Sequence, residues 1–331
     1  MSSKNIPQID PNADPYAYLG IIPNPDGSIA RLPAVLPTFA ASSDPSDPVP
    51  FLSKDIPINQ EKKTWARLYL PLSTESSAAA TMTKLPLIVH YHGGGFIVGS
   101  AATLLFQKLI TEVANEVPAV VVSVDYRLAP ENRLPAAYDD CVEALHWIRT
   151  TVEEWLTKYA DFSKCFLMGT SAGGNIVYHV GLRAITCADH LMPLKIKGLI
   201  LHQPFFGGVE RTQSEIRLAN DKIFPPSLAD LMWYLSLPVG ADRDHEYCNP
   251  MMGIKLKLLE DMKKEGWKFL VTGWDEDMLI DRQIEFVSML KDRGMDVIGK
   301  FSVGGFHGVE IVDDSKAKIF YGVVKDFVVS L

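Results

Sequence analysis

From Leu85 onward, short apolar runs alternate with stretches of helical period, and this alternation constrains the fold more than any other feature of the chain. Leu85–Tyr91, Ala119–Tyr126, Lys164–Met168, Ile196–Leu201, Lys268–Thr272 and Val297–Val303 have the length and apolar character of buried strands. Between them, Leu104–Glu116, Asp139–Tyr159, Gly173–Ile185, Asp281–Arg293 and Lys316–Val329 read as helices. In Asp139–Tyr159 the apolar positions fall at 141, 145, 148, 152, 155 and 159. Such a chain is expected to fold as α/β, with a mostly parallel central sheet and helices on both faces. Ligands then bind beyond the carboxyl ends of the strands. Ahead of this core, Lys54–Asn59 and Thr64–Leu70 read as a hairpin or adjacent strands, followed by a polar loop over Ser73–Lys84.

The 331 residues, 47% of them apolar, suffice for one large domain spanning 1–331. Residues 1–50 are rich in Pro, Asp, Ser and Ala and read as a partly ordered arm over the body, ordered best at Tyr16–Ile22 and Ile29–Pro33. Residues 205–245 interrupt the alternation with Pro225-Pro226, Leu228–Leu237 and Pro238. They read as an insertion of one or two short helices that forms a small cap together with the arm. A net charge of −8 without a basic patch argues against nucleic acid and anionic membranes as partners. There is no apolar leader and no run near the ~18 residues of a membrane span. Cys141, Cys165, Cys187 and Cys248 are widely spaced and read as free thiols. A cytoplasmic protein, monomeric or weakly dimeric, is the expectation.

The apolar run Cys165–Met168 leads into Gly169-Thr170-Ser171-Ala172-Gly173. This is the G-x-S-x-G pattern of a sharp strand-to-helix turn that presents a serine hydroxyl at the top of a sheet. Small residues at 169 and 173 let strand and helix close around it. Upstream, His92-Gly93-Gly94-Gly95-Phe96 follows another strand directly. Consecutive glycines allow backbone N–H groups to approach a ligand closely. A serine that attacks a carbonyl needs such donors, because negative charge builds on the carbonyl oxygen. Gly94, Gly95 and Ala172 are the expected oxyanion-hole donors, with His92 bracing the loop.

The glycine loop, Asp125-Tyr126-Arg127-Leu128-Ala129-Pro130-Glu131, Leu134–Asp140 and Gly169–Asn175 together resemble the hormone-sensitive-lipase-like branch of the α/β-hydrolases. Within it the chain is most similar to plant carboxylesterases, and Ala241–Pro250 resembles the plant group's pattern as well. The resemblance runs from about residue 14 to the end, and implies the α/β-hydrolase fold.

A serine hydroxyl is a poor nucleophile until a base takes its proton. Of eight histidines, His307 lies in the glycine-flanked loop Gly304–Gly308 after the last strand, at the same sheet edge as Ser171. His90 and His202 fall in strands, His146 and His179 on helices, His190 in a polar loop, and His245 where a structural hydrogen bond is expected. The orienting carboxylate should lie between Ser and His in chain order. Asp275, Glu276, Asp277 and Asp281 crowd the loop after Lys268–Thr272. The family pattern assigns the role to Asp277 and leaves Asp281 to cap or charge the following helix. Asp275 and Glu276 then read as solvated acids that raise the pKa of His307.

The resemblance implies a serine carboxylesterase acting on small-molecule esters or related plant metabolites, with Ser171, Asp277 and His307 catalytic. No cofactor or metal is expected, since phosphate-loop, dinucleotide and zinc patterns are absent. One position departs from the family: Thr170 stands where an Asp or Glu is usual. Two other functions remain open from sequence. One is a lyase or cyclase of specialised metabolism that uses the same pocket. The other is a non-catalytic small-molecule receptor, whose relatives lack the histidine.

Overall fold

Val120–Asp125 illustrates how this sequence makes its sheet. Val120, Val122 and Val124 turn toward one apolar cluster and Val121 toward another, and all are buried. Side chains alternate across a strand, so a continuous valine run needs cover on both faces. The computed structural model describes residues 14–26, 28–32, 36–44, 46–47, 51–72 and 84–331. The loop expected over Ser73–Lys84 lies, apart from Lys84, outside the described residues, as do parts of the arm.

In the arm, β1 (Ile21–Pro23) and β2 (Ile29–Arg31) pair antiparallel. The main sheet comprises β3 (Phe51–Asn59), β4 (Thr64–Pro71), β5 (Leu85–Tyr91), β6 (Val120–Asp125), β7 (Ala160–Thr170), β8 (Ile196–His202), β9 (Lys268–Trp274) and β10 (Val297–Ser302). Their order is β10-β9-β8-β7-β5-β6-β4-β3. Strands β5 to β10 run parallel, and β4 pairs antiparallel with both β3 and β6. Helices Leu104–Glu116 and Asp314–Val329 cover one face; Ala136–Thr150, Ala172–Thr186 and Ile280–Asp292 cover the other. The chain leaves β5 for β6 on one side, then recrosses to β7 on the other. At that reversal the carboxyl ends of β5 and β7 lie side by side, where open α/β sheets place their ligands. His92–Phe96 leaves one of these ends and Ser171 the other.

The helix expected over Asp139–Tyr159 divides into Ala136–Thr150 and Glu154–Tyr159. Thr151 is extended, with ψ of 145°, and Glu153 caps the second helix by accepting from Leu156 N. The run Thr150-Thr151-Val152 is β-branched and favours this break over a continuous helix. A further helix, Leu256–Lys264, escaped the sequence reading because only Leu259 and Met262 of it are buried.

Residues 205–245 carry two helices, Gln213–Arg217 and Pro226–Ser236. A capping box starts the first: Thr212 Oγ1 accepts from Glu215 N while the Glu215 carboxylate accepts from Thr212 N. The arm helix Pro15–Tyr18 packs on Pro226–Ser236, and Leu19 and Ile21 join the core. Arg31 fastens the arm. Its guanidinium forks onto the Glu131 carboxylate and donates to the carbonyls of Ile97 and Ala129.

Candidate active site

Ser171 sits at the turn from β7 into Ala172–Thr186 with φ of 56° and ψ of −119°. A non-glycine residue holds so disfavoured a backbone only where its surroundings fix it. The fixing is visible. Ser171 N donates to His202 O, and Ser171 O accepts from Phe205 N. The flanking glycines are compelled by space, since a Cβ on Gly169 would lie 2.2 Å from Gly173 O and one on Gly173 1.9 Å from Tyr91 O. Strand β5, β7 and the helix are thereby drawn together.

Ser171 Oγ lies 3.0 Å from His307 Nε2, and His307 Nδ1 lies 2.9 Å from Asp277 Oδ2. All three hang from loops at the carboxyl edge, after β7, β9 and β10. Asp277 is 1% exposed and Ser171 7%. Besides His307, the Asp277 carboxylate accepts from Leu279 N, Gln203 Nε2 and Gln283 Nε2. These bonds satisfy an anion buried away from water. Burial pulls the His307 pKa down, but the charge and hydrogen bond of Asp277, assisted by Glu310 and Asp221, outweigh it and raise it above 6.5. Asp275 accepts from Gly304 N and pins the start of the His307 loop. Asp281 lies in the first turn of Ile280–Asp292 as expected, yet its carboxylate accepts from Ser214 N of the neighbouring helix.

The glycine loop faces the serine. A Cβ on Gly93 would come within 3.4 Å of Ser171 Cβ. Gly94 and Gly95 have φ of 104° and 61°, the left-handed region. Among the described residues, the N–H groups of Gly94, Gly95 and Ala172 find no backbone acceptor. His92 braces the loop through Nδ1 to Gly93 O at 2.7 Å, stacked on Tyr126, whose hydroxyl donates to His92 O. The insertion touches both halves of the site. Phe224 stacks on the His307 ring at 4.6 Å, and the Met232 sulfur would lie 2.2 Å from a Cβ on Gly95. Ser236 Oγ donates to Gly95 O. Trp233 stacks on Phe205 at 4.4 Å and lies against Phe96.

Four of the other histidines have structural settings of their own. His90 and His179 are pushed by burial to pKa values of about 3, and the ring of His245 accepts from Tyr247 N. His202 lies between Thr272 Oγ1 and the Glu310 carboxylate. Thr170 Oγ1 is buried without a partner among the described residues. No cluster of three or more His, Cys, Asp or Glu side chains suited to a metal occurs among them either. Nor is any described helix long and apolar enough to cross a membrane.

Strand order and the elbow between β7 and its helix put the molecule in the α/β-hydrolase class. A profile of the alpha/beta hydrolase fold matches residues 88–311. Carboxylesterase 20 of Arabidopsis thaliana is 52% identical over 321 residues, spanning 97% of this chain and 98% of that protein. A 3-O-acetylpapaveroxine carboxylesterase of Papaver somniferum is 42% identical over 96% of this chain and 100% of its own length. Among solved structures, the Pyrobaculum calidifontis esterase aligns with a TM-score of 0.68 at 26% identity, covering 85% of this chain and 87% of that one. The chain belongs to the plant carboxylesterases, carboxylic-ester hydrolases in the hormone-sensitive-lipase-like branch of the α/β-hydrolases.

Proposed function

We propose that this protein hydrolyses small-molecule carboxylic esters through an acyl-enzyme on Ser171. The observation that carries the reading is the unbroken line from Ser171 Oγ through both His307 nitrogens to Asp277. His307 Nε2 takes the hydroxyl proton as Oγ attacks the ester carbonyl carbon. Asp277 fixes the tautomer with the proton on Nδ1 and stabilises the imidazolium. The tetrahedral oxyanion is met by the N–H groups of Gly94, Gly95 and Ala172. His307 returns its proton to the leaving alcohol, then deprotonates a water that releases the acid and frees Ser171.

The arm and residues 205–245 act in this reading as a cap over the site, with Phe224 and Met232 as its points of contact. Purified protein is expected to hydrolyse short-chain nitrophenyl esters, and Ser171→Ala to lower kcat by about 10⁶-fold. Undiminished turnover in that variant would refute the mechanism. The lyase or cyclase reading uses the same residues without consuming water. Reaction in ¹⁸O-labelled water separates the two, because hydrolysis alone places the label in the acid product.

A further inference from the structure

Strand β8 ends between the strand that carries Ser171 and the strand that precedes Asp277, and the next residue is Gln203. Its side chain is fully buried, and both its nitrogen and its oxygen are hydrogen-bonded. Nε2 donates to Asp277 Oδ2 at 2.9 Å and to Phe306 O at 3.2 Å, while Oε1 accepts from Gly308 N at 2.8 Å. The amide therefore bonds the acid and the backbone on either side of His307. Its orientation follows from chemistry, because both oxygen partners face the NH₂ end and the N–H faces the oxygen.

The backbone at Gln203 points the same way. Its φ is 43°, in the left-handed region that a side chain with a Cβ disfavours. Gln203 N donates to Thr272 O on β9, and the preceding carbonyl, His202 O, accepts from Ser171 N. One short stretch of main chain thus touches the elbow on one side and the acid-bearing strand on the other. Strain kept at a buried polar residue next to reacting groups is a pointer to function.

We infer that Gln203 is a positioning residue that aligns Asp277 and the His307 loop as a single unit. The inference rests on the proposed Ser171–His307–Asp277 mechanism but concerns a residue outside it. Without the amide, Asp277 Oδ2 loses a donor and the His307 loop loses its bonds at Phe306 O and Gly308 N. The carboxylate then turns or draws water, and the imidazole leaves the line of attack. Misplacement of this kind, by about 1 Å, typically costs about 10²-fold in rate.

Two variants of similar shape test it, Gln203→Met and Gln203→Glu. Two readouts are taken on each: the low-field proton resonance of His307 Nδ1–H, assigned by its disappearance in His307→Gln, and steady-state kinetics on a nitrophenyl ester. Melting curves select the variants that fold, and Gln203→Glu, which differs by one atom, covers a failure of Gln203→Met. Loss or an upfield move of the resonance is expected, with kcat reduced about 10²-fold and KM nearly unchanged. A folded variant that keeps both the resonance and kcat of the parent would overturn the inference and leave packing as the sole role of Gln203. The resonance needs no turnover. If it vanishes in the variants while the parent hydrolyses no ester, the positioning role stands and the proposed reaction falls.

Discussion

Ser171 and His307 were legible because each sits in a short motif that carries its own structural reason: small residues around a strained serine, glycines around an imidazole in a loop at the sheet edge. Asp277 was harder, since four acids share one loop and only the family pattern chose among them. Geometry separates their roles. Asp275 ties Gly304 N, Asp281 ties Ser214 N, and Asp277 alone of the three reaches an imidazole. Asp277→Asn, which leaves the shape but favours the wrong tautomer, is expected to lower kcat by about 10⁴-fold, whereas Asp275→Asn should change it little. Equal losses in the two variants would reverse the assignment. The raised His307 pKa sets the pH dependence. The base works only when neutral, so kcat/KM is expected to fall as pH drops through a value above 6.5. A pH profile with its acid limb below that value would contradict the charge environment described. Phe224 and Gln203 could not be read as neighbours of His307 and its loop, because each reaches them from an element distant in sequence.

Among elements, the alternation of runs and helices was legible because buried parallel strands need apolar residues on both faces. What periodicity could not supply was the break at Thr151–Glu153 or the helix Leu256–Lys264, where capping and a sparse apolar stripe decide. Nor could it supply how the insertion meets the sheet. Helix Pro226–Ser236 presses the Met232 thioether on Gly95, and Ser236 holds that residue's carbonyl. A side chain at Gly95 would face both a left-handed φ of 61° and this sulfur. Gly95→Ala is therefore expected to move the loop N–H groups and lower kcat by about 10²–10³-fold, the usual loss for one oxyanion donor. Thermal melting would change less than activity. An unaltered kcat would remove Gly95 from the oxyanion site.

Across the whole molecule, a single sheet gathers three loops and a glycine turn at one edge, and the described part of the arm, from the opposite end of the sequence, packs on helix Pro226–Ser236. Arg31 is its clasp, bonding Glu131 and two carbonyls beside the glycine loop. Arg31→Ala is expected to speed limited proteolysis within the arm and to raise KM more than it lowers kcat, because it loosens cover without touching the reacting groups. Unchanged cleavage rates would show that the arm is held by its apolar contacts alone. The central claim, an activated nucleophile at Ser171, has a direct test. The protein is treated with an organophosphate, digested, and mapped by tandem mass spectrometry. One phosphoryl adduct on Ser171, lost in His307→Ala, is the expected result; labelling elsewhere, or none, would contradict it.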